Sequence, residues 1–349
     1  SRHRRRRAHR VGIHRRHRLY LPFYPLAVQS MDVRGYDLIL SNKSGFCHGV
    51  RKTSDQLHID YCLTPTRYVW EHAAYATREG LGPLTRLALW PLLAWLRRWD
   101  LQAARRVDRF VAISRAVQAR IARYYRRDSV IVHPPVDIEG YRPSSEPPGD
   151  YFLVASRLIP YKRIDLAVQA CTRLRLPLIV VGEGRARAAL EAMAGPTVQF
   201  RGRVSSQELA QLLAHCRAFI FPGLEDFGIA PVEAQAAGRP VIAYGQGGAL
   251  DTVVEGVTGL FFEEQTPEAL MAAIQRLGKM RFDPGVIRRH AEQFSVTRFK
   301  HQLRSFIETS WQEFSGEALG RKPQSVSRAP ATAQHGTAYT CQEYTTEES

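Results

Sequence analysis

The sequence has no apolar run approaching the ~20 residues that span a bilayer, no CxxC pair and no cysteine and histidine spacing suited to zinc. The nearest candidate for a span, Leu84 to Leu96, is interrupted by Arg86 and Pro91 and closed by Arg97 and Arg98, which points to a buried or interfacial helix. Five cysteines, Cys47, Cys62, Cys171, Cys216 and Cys341, form an odd set without paired spacing, and a reduced, cytoplasmic setting fits them. No apolar segment follows the arginine-rich start, so no signal peptide is visible. The first residue is Ser1, which leaves a trimmed or incomplete chain open. No Asp-x-Asp pair occurs and no repeat suggests a solenoid.

What is present is ordinary in bulk and uneven in charge. Hydrophobic residues at 44% and charged residues at 23% suit a soluble globular protein, and 349 residues allow two separately packed domains. Residues 1–18 hold nine arginines and no acid, more than half of the formal net charge of +16. Such a run reads as a solvated basic arm, or as a contact for anionic lipid headgroups or a phosphate-bearing substrate. No nucleic-acid partner is expected, because no recognised nucleic-acid motif accompanies the run.

From Tyr151 onward short apolar runs alternate with helical patterns, the mark of a parallel sheet wrapped by helices. Strands are expected at 151–155, 177–181, 198–200, 218–221 and 240–244, and helices at 164–174, 186–194, 207–215, 229–237 and 267–277. Upstream, 36–40, 59–63, 109–113 and 130–132 predict four more strands, with a helix over 116–125. The expected organisation is an N-terminal domain over 1–133, a linker rich in helix breakers over 134–150, a C-terminal domain over 151–313 and a disordered tail over 314–349. Two doubly wound units of this α/β kind would place the carboxyl ends of their strands across a shared cleft.

Two stretches carry chemistry. Ala155-Ser-Arg-Leu-Ile-Pro-Tyr-Lys-Arg163 follows a strand and precedes a helix, where unpaired backbone N–H groups and the cations Arg157 and Lys162 can hold a diphosphate. Basic residues near a helix start are also common without any ligand. In Phe221-Pro-Gly-Leu-Glu225-Asp-Phe-Gly228-Ile-Ala-Pro-Val-Glu233, Glu225 lies in the loop after a strand and Gly228 lets the backbone pass close to a ligand. Glu233 sits about one turn into the next helix. Two carboxylates so spaced suit the adjacent hydroxyls of a polyol, although Glu233 alone could simply answer the helix dipole.

Together these stretches resemble the retaining GT-B glycosyltransferases of family 4, the group with the Glu-x7-Glu signature. Arg157 and Lys162, Val181-Gly-Glu-Gly184, Gly202-Arg-Val204, Glu225 to Glu233, Gly245-Gln-Gly-Gly248 and Glu255-Gly-Val-Thr-Gly259 fall in that family's order. Thr64-Pro-Thr-Arg-Tyr-Val-Trp70 and Val111-Ala-Ile-Ser-Arg115 extend the likeness upstream, toward bacterial mannosyltransferases of polysaccharide assembly. The resemblance departs at two points. Family members begin with a strand, a glycine-rich loop and a helix that have no counterpart here, so an incomplete N-terminal domain is expected. Leu63 stands where many relatives place a histidine facing the donor sugar, and His58, elsewhere on the same strand, reads as structural.

The resemblance implies a role for each matching residue. Arg157 and Lys162 would neutralise the leaving diphosphate, with Lys162 and Glu225 counted as catalytic beside Arg157. Glu233 would hold the ribose, and Glu225 with the backbone of Phe227, Gly228 and Ile229 would orient the hexose. Gly182, Gly184, Arg203, Gly247 and Gly248 would complete the donor site. No metal or other cofactor is implied, the cations standing in for one. The implied co-substrate is GDP-mannose, with a UDP-sugar as the alternative, and the acceptor a saccharide or lipid-linked saccharide at the inner face of the membrane. The competing reading is a catalytically silent nucleotide-sugar-binding protein.

Overall fold

The computed structural model describes residues 23–43, 45–71 and 83–321; the arginine-rich arm and residues 322–349 lie outside the described residues. The chain forms two compact units, one from residues up to Ala112 with Val117–Ile131 and the chain from Arg304 onward, the other from Ile113–Ala116 and Val132–Leu303.

The first unit runs α1 (Tyr24–Gln29), β1 (Leu38–Lys43), β2 (Leu57–Cys62), α2 (Arg67–Trp70), α3 (Pro83–Arg106), β3 (Arg109–Ala112), α4 (Arg115–Tyr125) and β4 (Ser129–Ile131). Its four strands are parallel in the order β1-β2-β3-β4, and β2 is buried at every position, as a strand covered on both faces must be. The segment expected to be a buried or interfacial helix is the first half of α3. None of the described helices is long and apolar enough to cross a membrane.

Asp100 of α3 is the polar centre of this unit. Fully buried, it accepts hydrogen bonds from Thr66 Oγ1 at 3.1 Å, Trp70 Nε1 at 2.6 Å and the Tyr125 hydroxyl at 2.7 Å, with His48 Nε2 3.2 Å away and Lys43 Nζ 3.8 Å away. Burial pushes its carboxyl up, but the charges of Lys43 and His48 and these hydrogen bonds outweigh it and hold the group well below the usual carboxylate range. Because a buried carboxylate stripped of its donors is left uncompensated, this cluster fixes the loops after β1 and β2 in one arrangement.

In the second unit come β5 (Phe152–Ala155), α5 (Ile164–Leu174), β6 (Leu178–Val181), α6 (Arg187–Met193), β7 (Val198–Gly202), α7 (Ser206–His215) and β8 (Ala218–Phe221). These are followed by α8 (Ile229–Ala236), β9 (Val241–Tyr244), α9 (Ala249–Thr252), β10 (Gly259–Phe262), α10 (Pro267–Leu277) and α11 (Pro284–Ala291). The sheet is parallel throughout with the order β10-β9-β8-β5-β6-β7. Strand order reverses between β5 and β8, so the loops leaving those two strands open side by side at the position where such sheets take ligands. One face packs Phe152, Val154, Leu178, Val180 and Ile220 against α5 and α10; the other packs Leu153, Phe219, Val241 and Ala243 with Ala234 and Ala237 beside α8. Side-chain caps start α7 (Ser205), α10 (Thr266) and α11 (Asp283).

Two boundaries differ from those expected. Residues 134–150, read as a linker from their breakers, are fastened to the second unit: Val136 bridges to Ser295, and Arg288 Nη1 donates to the carbonyls of Ile138, at 2.7 Å, and Tyr141. Proline and glycine forbid a helix there without preventing an extended chain from packing. The final helix α12 spans Val296–Arg321, across the boundary expected at 313 and 314. Its exposed, polar faces blunt the hydrophobic signal, while Ser310 is buried.

Candidate functional site

The loop after β5 enters a short 3₁₀ turn at Pro160–Lys162, and Arg163, in the left-handed region at φ 52°, starts α5. Lys162 is thereby held over the loop after β8, whose Gly223 packs tightly on it: a Cβ there would lie 3.0 Å from the Lys162 carbonyl oxygen. Lys162 Nζ forms an ion pair with Glu225 Oε1 at 2.6 Å, both groups about four-fifths buried. The reversal of strand order thus brings together a cation and a carboxylate that lie 63 positions apart in the chain.

The loop after β9 closes on the same point. Gly248 N donates to the Glu225 carbonyl at 2.8 Å, and a Cβ on Gly248 would stand 2.2 Å from Phe227 Cα. Gly247, at φ +67°, comes as close to the Glu225 carbonyl. The loop after β6 locks on from the other side: Leu158 N donates to the Glu183 carbonyl at 2.8 Å, while a Cβ on Gly182 or Gly184 would fall 1.9 Å or 2.4 Å from the carbonyl oxygens of Ser156 and Leu158. These glycines are required by close backbone approach.

Gly228, at φ +104°, turns the chain into α8, whose N-terminus no side chain caps. Its first backbone N–H groups therefore remain available, with the partial positive charge of the helix end. Glu233 lies one turn in and half-buried, and the Tyr141 hydroxyl donates to its Oε1 at 3.1 Å. Burial raises the Glu233 carboxyl, with the charge of Asp137 adding to the rise and the Tyr141 hydrogen bond opposing it. Burial and the Glu233 charge likewise raise the Tyr141 phenol, which stays a proton donor. The Tyr141 hydroxyl thus occupies one of the two carboxylate oxygens.

The remaining candidates are placed unevenly. Arg157 is exposed, its carbonyl accepting from Ile159 N at 2.9 Å. Arg203 is exposed just past β7, at the sheet's far edge. The Phe227 ring is buried against His133 at 5.5 Å and Phe294 at 5.6 Å, so only its backbone can face a ligand, whereas Ile229 is exposed. In the first unit Leu63 closes β2 by donating to the Lys43 carbonyl at 2.7 Å. His58 is buried on that strand with Nε2 at 2.9 Å from Ser41 Oγ, and burial, with nearby cationic charge, pushes it down to about 3. Sequence reasoning did not find Tyr141, Asp137 or His133, because an aromatic or acid in a breaker-rich stretch carries no periodic signal.

The two parallel α/β units are those of the GT-B fold. The family model described as glycosyl transferases group 1 matches residues 137–294 of this chain. The chain is 32% identical over 232 residues to a GDP-mannose-dependent alpha-mannosyltransferase of Mycolicibacterium smegmatis, covering 63% of this chain and 59% of the relative. It is 28% identical over 204 residues to a D-inositol 3-phosphate glycosyltransferase of Streptomyces scabiei, covering 49% and 46%. The chain spans about half the length of the curated relatives it matches. Among solved structures, sucrose-phosphate synthase from Thermosynechococcus elongatus superposes with a TM-score of 0.63 at 20% identity, over 85% of this chain and 80% of that one. Anabaena HepE in complex with UDP and glucose superposes at 0.59 and 20% identity, over 81% and 80%. These two likenesses carry the fold.

Proposed function

We propose that the chain is a retaining hexosyltransferase that moves mannose from GDP-mannose to a saccharide or lipid-linked saccharide in polysaccharide assembly. The observation that carries this reading is the Lys162–Glu225 pair at the strand-order reversal, beside the uncapped start of α8 and one turn from Glu233. The helix start and Lys162 meet the diphosphate, and Arg157 adds a second cation from solvent. Glu233 takes the ribose hydroxyls, while Glu225 and the Gly247–Gly248 backbone orient the hexose. The departing phosphate itself assists the incoming hydroxyl, so positioning and charge stabilisation are the main catalytic terms, and transfer proceeds without a metal. Guanine and mannose are supported by the relatives named as GDP-mannose-dependent; contact with an anionic membrane at the cytoplasmic face follows from the lipid-linked acceptor.

A thermal-shift panel of GDP, UDP, ADP and dTDP tests the donor. Ligand at ~100 times its dissociation constant adds about 2.7 kcal/mol of stability, and GDP is expected to give that shift. A response to UDP with none to GDP overturns the GDP-mannose assignment. Release of GDP from GDP-mannose on incubation separates a working enzyme from a silent binding protein.

A further inference from the structure

α8 buries the small apolar residues Val232, Ala234 and Ala236, yet Gln235 among them is buried as completely. An amide enclosed in such a setting costs stability unless its polar atoms find partners. Both ends of Gln235 do. Its Nε2 donates to the Thr252 carbonyl at 2.6 Å, and its Oε1 lies 2.7 Å from His290 Nδ1 on α11. A carbonyl can only accept, so the amide nitrogen must face Thr252, the amide oxygen must face His290, and the His290 proton must sit on Nδ1. Burial pushes the His290 ring down, which favours this neutral form. α9 is a single turn, Ala249–Thr252, whose closing carbonyls have no partner further along the helix. Because Thr252 is fully buried, Gln235 answers a carbonyl that solvent does not reach.

The same contacts run on into the donor loops. Thr252 Oγ1 donates to the Gly248 carbonyl at 3.3 Å, and Gly248 N donates to the Glu225 carbonyl at 2.8 Å. The His290 ring also meets Phe294 at 5.6 Å, and Phe294 meets Phe227 at 5.6 Å. α11 therefore supports the loops after β8 and β9 by two routes, one of hydrogen bonds and one of rings. We propose that Gln235 and His290 are positioning residues for hexose transfer: through Thr252 they fix the Gly248 peptide, and with it the Glu225 backbone, where the sugar of the donor is oriented. Gln235 has no exposed surface and acts without touching a substrate. The inference rests on the proposed hexose subsite at Glu225 and Gly247–Gly248. It places the effect on the sugar and not on the nucleotide, because Glu233 is oriented by Tyr141 and Lys162 is carried by the turn before α5.

The test compares the full parent chain with Gln235→Met, His290→Phe and His290→Asn. Methionine keeps the length of glutamine without its hydrogen bonds. Phenylalanine keeps the ring on Phe294 without the donor, whereas asparagine gives up the ring and offers an amide N–H near the place of Nδ1. The quantities read are hydrogen–deuterium exchange over residues 246–253 without nucleotide, Kd for GDP, and kcat for release of GDP from GDP-mannose. Gln235→Met and His290→Phe are expected to speed that exchange and to lower kcat, each by about fivefold, the effect of one hydrogen bond, with Kd for GDP within about twofold of the parent. His290→Asn is expected to recover most of both. Parental exchange and parental kcat in Gln235→Met would overturn the proposal. So would a loss of GDP affinity equal to the loss of kcat, the result of a general loosening of the unit, or a His290→Asn variant as impaired as His290→Phe. A parent that neither binds GDP nor releases it from GDP-mannose defeats the donor reading instead, and the two failures are told apart because the exchange measurement needs no nucleotide.

Discussion

Glu225 and Lys162 are each other's partners before any ligand arrives, and this changes what their removal does. Glu225→Ala releases Lys162 toward the diphosphate, so affinity for free GDP is expected to stay at the parent value or rise, while affinity for the intact donor or turnover drops. Glu233→Ala is expected to weaken both by about 1.5–3 kcal/mol, or 10- to 100-fold, since charge-assisted hydrogen bonds are lost in either case. Lys162→Ala should lower kcat more than donor affinity, because its partner charge grows in the transition state. Isothermal titration with GDP and GDP-mannose separates these outcomes; equal loss of GDP binding in the two glutamate variants shows the division between sugar and ribose to be wrong. Tyr141→Phe removes the donor that orients Glu233, and about a fivefold loss toward GDP is expected, with a smaller one toward the 2′-deoxy nucleotide. The raised Glu233 carboxyl sets the pH dependence: as pH falls it takes up a proton before an ordinary carboxylate would, so this grip weakens earlier on the acid side. The two glutamates were legible in the sequence from their spacing across a strand-to-helix loop. Their partners were not, since neither an ion pair over 63 positions nor a phenol from the 134–150 segment leaves a local pattern.

The elements were legible where burial is two-sided. Four-residue runs such as Leu-Ile-Val-Val at β6 can be little else, and α5 and α10 match their expected bounds because apolar residues recur at three and four. β10 was missed because Gly259-Leu-Phe-Phe262 is short and its glycine reads as a turn, whereas that glycine is there because a Cβ would lie 2.0 Å from the Val241 carbonyl oxygen on the neighbouring strand. The same crowding makes the loop after β9 testable. Gly248→Ala must displace the Phe227 backbone and with it the Glu225 carbonyl contact, so a loss of roughly 1–3 kcal/mol from overpacking is expected. Urea unfolding measures that loss, and donor binding should fall with it; parental stability together with parental donor affinity would show that the loop yields freely.

Across the whole molecule, acid sensitivity should originate in the first unit. His58 titrates near 3 when folded and near 6.5 when free, so between those values the unfolded chain holds the proton that the folded chain refuses. Stability is full above about pH 6.5 and falls as pH drops, by on the order of 2 kcal/mol at pH 5. Asp60, whose carboxyl is raised by burial, contributes with the opposite sign, its stabilisation being lost as pH rises through its folded value. Urea melts of the parent and of His58→Gln separate the two, and the variant is expected to show a flatter decline between pH 6.5 and 5; equal slopes would remove His58 as the cause. His58 was read as structural from its strand, but the limits of the units and the buried charge of Asp60 and Asp100 could not be read from composition, because a lone acid in a strand or helix carries no sign of which way it faces. The helix α12 has a temporal consequence. From Arg304 onward it belongs with residues before Ala112, and Arg109 Nη2 meets Glu313 Oε2 at 3.2 Å while Lys52 Nζ lies 5.8 Å from the centre of the Phe314 ring. A chain emerging from the ribosome therefore makes the strands of its first unit before the second unit, and the helical stretch from Arg304 that belongs with them exists only after the second unit has been synthesised.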